Sequence, residues 1–86
     1  MPINKNAFIR YRVIDTLLRN KDFVKTADIV EKLWDQHDLK VSARTINKDI
    51  MALQTDFSAP IEYNNSKKAY FYPENVAEIF PSLDLI

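Results

Sequence analysis

Three consecutive apolar stripes at helical spacing, followed by a switch to short β-prone runs, constrain this chain more than any other feature. The first stripe places Phe8, Tyr11, Ile14, Leu17 and Leu18 on one helical face over Lys5 to Asn20, widened by Ile9 and Val13. Asn4 or Asn6 suits its start, and Asn20-Lys21-Asp22 reads as its end. The second stripe, Ile29, Val30, Leu33 and Trp34, begins behind Thr26 as an N-cap, with Asp28 in the first turn where the helix dipole favours an acid. Its composition assigns Trp34 to the core. After the short linker Asp38 to Val41, Ser42 is placed to cap a third helix in which Ile46, Ile50 and Leu53 fall at i, i+4 and i+7.

Phe57-Ser58-Ala59-Pro60 closes that helix, and the periodicity then changes. Ile61-Glu62-Tyr63 and Ala69-Tyr70-Phe71-Tyr72 flank Asn64-Asn65-Ser66-Lys67-Lys68, which reads as a β-hairpin with a basic tip and aromatic cross-strand pairing. The chain contains no glycine, so positive φ in the turn falls to Asn64 and Asn65. Helix, helix, short turn, helix and hairpin make a mainly α fold with a small β-hairpin. This is the order of a winged helix-turn-helix, with three helices and a two-stranded wing. The expected domain spans 1–73. Residues 74–86 form a tail or the start of a linker to a domain absent from this chain. Val76, Ile79, Phe80, Leu83, Leu85 and Ile86 make that tail too apolar to stand idle.

Chemistry-bearing residues are few. There is no cysteine, hence no disulfide framework or thiolate metal site. No Ser-His-acid set, metal cluster or glycine-rich phosphate loop can be assembled, so the chain reads as no enzyme, with no cofactor and no metal. His37 is a lone histidine at a helix end. No apolar run nears the ~20 residues that span a bilayer, and the N-terminus lacks a signal-peptide pattern, which makes the cytoplasm the expected location. Formal charge is zero, from 12 Lys and Arg against 12 Asp and Glu. Its distribution is uneven. Lys5, Arg10, Arg12, Arg19, Lys21 and Lys25 dominate the first third, Asp28, Glu31, Asp35 and Asp38 cluster next, and Lys40, Arg44, Lys48, Lys67 and Lys68 follow. Phosphate binding depends on such local fields rather than on net charge.

The third helix carries the most informative asymmetry. Opposite its apolar stripe lie Arg44, Asn47, Lys48 and Met51, where an idle solvated face would favour Glu and Lys. A helix in this position enters the major groove N-terminus first. Arg44 would then address guanine or phosphate, Asn47 adenine, and Lys48 phosphate as a point charge. Ser42 and Thr45 would meet phosphate through hydroxyl and backbone N–H groups, and Lys67 and Lys68 would reach the backbone or the flanking minor groove. Arg10 and Arg12 read mainly as solvated, and Asp49 as a partner that positions Arg44 or Arg12. The expected partner is double-stranded DNA, bound by a homodimer of the full-length protein. The alternative is a winged helix used for protein–protein contact or dimerisation, since fold alone does not dictate nucleic-acid binding.

From Arg10 to Tyr72 the chain resembles the N-terminal winged-helix domain of WYL-domain transcriptional regulators, close to the DeoR-type group. The motifs are Arg10-Tyr-Arg-Val-Ile-Asp, Val41-Ser-Ala-Arg-Thr-Ile-Asn-Lys-Asp-Ile-Met-Ala-Leu, and Ala59-Pro-Ile-Glu-Tyr followed by Lys68-Ala-Tyr-Phe-Tyr. The resemblance covers about three quarters of the chain and implies a recognition helix around Ser42 to Asp49. It also implies a ligand-sensing C-terminal domain, which this chain does not contain. Two positions depart from the pattern. Ala69 stands where the wing often has glycine, and Lys48 where an arginine often precedes the aspartate, which removes bidentate geometry there.

Overall fold

The computed structural model describes residues 4–77 and 79. It contains three helices, α1 (Lys5–Asn20), α2 (Thr26–His37) and α3 (Ala43–Asp56), then the strands β1 (Glu62–Asn64) and β2 (Ala69–Phe71). The fold is mainly α with a small antiparallel hairpin, in the order of a winged helix. Among the described residues no helix is long and apolar enough to cross a membrane.

Each helix starts where a side chain satisfies an otherwise orphaned backbone donor. The Asn4 Oδ1 accepts the Ala7 N–H at 2.8 Å, and the Ser42 Oγ accepts the Thr45 N–H at 3.1 Å. Helix α2 differs from the expected cap at Thr26. Lys25 is its N-cap, and the Asp28 carboxylate reaches back to the Lys25 N–H at 3.0 Å, half of a capping box. Because Asp28 supplies that cap, the Thr26 hydroxyl is turned to other use. The helix is closed by its C-cap Asp38, which is left-handed at φ 53°. The Leu33 carbonyl accepts both the Asp38 and Leu39 N–H groups there.

Ile14, Leu17 and Leu18 of α1, Ile29 and Leu33 of α2, and Ile46, Ile50 and Leu53 of α3 meet in one core, joined by Val24, Ala59 and Ile61. Trp34 is not part of it. Its side chain is 56% exposed, because Ile29 and Leu33, one turn apart, already take the inward line, and the next residue is rotated by about 100° away from it.

The hairpin pairs Glu62 with Phe71, Tyr63 with Tyr70 and Asn64 with Ala69. The Tyr63 and Tyr70 rings meet edge to face at 4.9 Å, the cross-strand aromatic pairing expected of such a short ladder. Positive φ falls on Lys68 at 53°, and on neither Asn64 nor Asn65. Asn64 stays extended in β1 while its Oδ1 accepts the Lys67 N–H at 2.9 Å, which leaves the reversal to Lys68. A bridge at Val24 ties the hairpin to the linker between α1 and α2. The Val24 N–H donates to the Tyr70 carbonyl at 2.8 Å and the Tyr70 N–H to the Val24 carbonyl at 2.7 Å.

Beyond β2 the chain returns to α1. The Tyr72 hydroxyl donates to the Asp15 carboxylate at 2.6 Å, and Arg19 Nε donates to the same carboxylate at 2.9 Å. The other two guanidinium nitrogens of Arg19 donate to the Val76 and Ala77 carbonyls, the latter at 2.8 Å. Ile79 packs partly buried on the core. Phe80, Leu83, Leu85 and Ile86 lie outside the described residues.

Candidate nucleic-acid interface

Packing of Ile46, Ile50 and Leu53 against α1 and α2 fixes which side of α3 faces outward. Arg44, Asn47, Lys48 and Met51 are exposed there, Met51 at 63%, and Thr45 is half-buried at the flank. Among the described residues neither Arg44 nor Lys48 forms an ion pair, so both cationic groups are available to an external anion. The start of the helix is partly spoken for. The Thr45 N–H is held by the Ser42 cap, and the Ser42 hydroxyl also donates to the Thr45 hydroxyl at 3.2 Å. The Thr45 hydroxyl proton is left for an outside acceptor, while the Ser42 hydroxyl proton and the Thr45 N–H are both engaged.

Asn47 is oriented from α2. The Thr26 hydroxyl donates to its Oδ1 at 3.3 Å, which leaves the amide N–H₂ and a second carbonyl lone pair for an outside partner. The same stretch of chain links α3 to the hairpin. Lys67 places its ammonium 5.0 Å from the centre of the Phe23 ring, which itself packs on Phe71 at 5.5 Å. Three residues after Phe23 comes Thr26. The basic tip, the start of α2 and the outer face of α3 are thus connected by direct contacts through one short segment. Lys68 is exposed beside Lys67, and its left-handed backbone shapes the tip.

The structure adds a residue pair that pattern reading assigned differently. Asp49 does not meet Arg44. It is buried at 5% exposure and faces α1, where Arg10 grips both its oxygens, Nε to Oδ2 at 2.6 Å and a terminal nitrogen to Oδ1 at 3.2 Å. This fork-on-carboxylate contact orients α3 against α1, and it holds the Arg10 guanidinium above its ordinary pKa. Arg10 is correspondingly not a solvated surface residue, with a side chain only 18% exposed. The signal was present: Asp49 lies between Ile46 and Leu53 on the buried stripe, where an acid needs a partner from another element. Arg12, by contrast, lies with its guanidinium 5.8 Å over the Phe8 ring.

Among the described residues no group of three or more His, Asp or Glu side chains is gathered to hold a metal ion. Comparison with known protein families, curated proteins and solved structures finds no match to this chain.

Proposed function

We propose that the chain is a sequence-specific double-stranded DNA-binding domain of a transcriptional regulator, with α3 in the major groove and the hairpin on the phosphate backbone. The observation that carries this reading is the outer face of α3. It offers Arg44 and Lys48, without ion-pair partners among the described residues, and Asn47 held by Thr26, all on a helix whose opposite side is locked into the core. Arg and Asn are the side chains whose donor and acceptor geometry matches guanine and adenine edges, and an amide already oriented loses less freedom on binding.

In this reading Arg44 addresses guanine or phosphate, Asn47 adenine, and Lys48 phosphate. Ser42 and Thr45 approach phosphate through their hydroxyls, and Lys67 and Lys68 hold the flanking backbone. We read the protein as cytoplasmic and as a homodimer on DNA, since one small module makes few contacts, and the resemblance to WYL-domain regulators supports ligand sensing by a domain beyond the hairpin. A winged helix devoted to protein contact is the competing reading, favoured by the zero formal charge.

Selection of duplexes from a randomised pool, followed by single-base substitution in the selected site, tests the proposal. A defined site should emerge. Asn47→Ala should relax preference at one adenine and cost about 1–3 kcal/mol of discrimination there, while Lys48→Ala should weaken all sequences alike. Failure to enrich any sequence, with the domain folded, would remove base reading from the account.

A further inference from the structure

Helix α2 and the turn that follows it enclose a shallow apolar groove of about 560 Å³. Its walls include Val30, Trp34, Leu39 and Val41, with Glu31 on the helix and Lys40 on the turn. Trp34 contributes nothing to the core and is 56% exposed, although an indole is the side chain with most to gain from burial. Glu31 and Lys40 are both exposed, and among the described residues neither forms an ion pair.

A two-fold contact presents one patch to its own copy, so the patch must complement itself. One acid and one base beside an apolar centre meet that requirement, because Glu31 of each copy can face Lys40 of the other. The groove between α1 and the end of α2 fails it. That groove is lined by Phe8, Ile9 and Val13, but the charged side chains in its lining, Arg12 and Lys32, are both basic. We propose that the Trp34 face is a homodimer contact, in which the indoles of two copies of this chain bury against one another between two symmetric Glu31–Lys40 pairs. The contact forms without DNA, so its failure leaves the DNA reading standing.

Trp34 is the chain's only tryptophan, so its fluorescence reports on this face alone. Sedimentation equilibrium and tryptophan emission are followed together over a broad range of protein concentration. Dimerisation with a parallel blue shift is expected. Trp34→Ala should weaken the dimer about thirtyfold or more, as loss of a central aromatic anchor does. Glu31→Lys or Lys40→Glu alone turns two attractions into two repulsions and should weaken it about tenfold. The double reversal, or an equimolar mixture of the two single variants, should restore it. Three results overturn the proposal. One is a monomer at every concentration. Another is a dimer indifferent to these substitutions. The last is a monomer with blue emission at the lowest concentration, which means that a segment of the same chain covers the groove.

Discussion

Two acids carry much of the positional information in this molecule, because each is held by a residue distant from it in the chain. Asp49 and Arg10 join α3 to α1 at 2.6 Å, with side chains 7% and 18% exposed. Removing one partner strands the other charge in a poorly hydrated place. Asp49→Ala should therefore cost about 3 kcal/mol, at the low end for a buried pair because Arg10 keeps some contact with water. Chemical denaturation measures it. Replacing both residues by leucine should cost less than the sum of the two single changes, because no unpaired charge remains. Asp15 does the corresponding work between α1 and the chain beyond β2, through Tyr72 and Arg19. Burial, reinforced by the hydrogen bond to Asp15, holds the Tyr72 phenol well above its ordinary range. The fold thus favours the protonated phenol, while the unfolded chain ionises near pH ~10. Stability from this source is complete below that pH and is lost as pH rises beyond it. Tyr72→Phe should cost about 2 kcal/mol at neutral pH, the worth of a hydrogen bond to a charged acceptor, and should flatten the alkaline loss seen by circular dichroism.

Among the elements, the helices were the most legible. Their apolar stripes have only one periodicity that buries them, and Asn4 and Ser42 stand where a cap is needed. Ser42→Ala should lower stability by about 1 kcal/mol in thermal melts, since the Thr45 N–H then loses its acceptor. What pattern reading missed has local causes. Hydrophobicity groups Trp34 with Leu33, although adjacent helical residues point in different directions. Thr26 is a good cap by type, but Asp28 reaches Lys25 first. Asp49 sits on the buried stripe, yet nothing in a linear sequence says that its partner lies 39 residues away on α1. The Val24–Tyr70 bridge is likewise a long-range pairing without a local signal. In the hairpin, asparagine preference for left-handed geometry pointed to the wrong residue, because the Asn64 side chain fixes the turn while the backbone cost falls on Lys68. Lys68→Gly should therefore raise stability by a few tenths to about 1 kcal/mol, since glycine relieves the left-handed cost but gains freedom when unfolded. Lys68→Ala should not. In the DNA reading, both changes should also lower the salt dependence of binding by about one phosphate contact.

For the whole molecule, zero formal charge is less informative than the placement of the charges. The acids most deeply involved in the fold, Asp15 and Asp49, are turned inward and paired with Arg19 and Arg10. Arg44, Lys48, Lys67 and Lys68 are left exposed on α3 and the hairpin tip. A small module with few contacts binds DNA weakly alone, and two modules on a two-fold-related site gain by effective concentration. Whether α3 and the hairpin grip duplex DNA is decided by fluorescence anisotropy of the chain on duplex across a salt series. Binding is expected, its logarithm falling with log salt by about 0.9 per phosphate contact, with a smaller slope for Lys67→Ala and loss of binding for Arg44→Ala/Lys48→Ala. Absence of binding at low salt, even with two copies covalently joined, or undiminished binding by the Arg44→Ala/Lys48→Ala variant, would contradict the DNA reading.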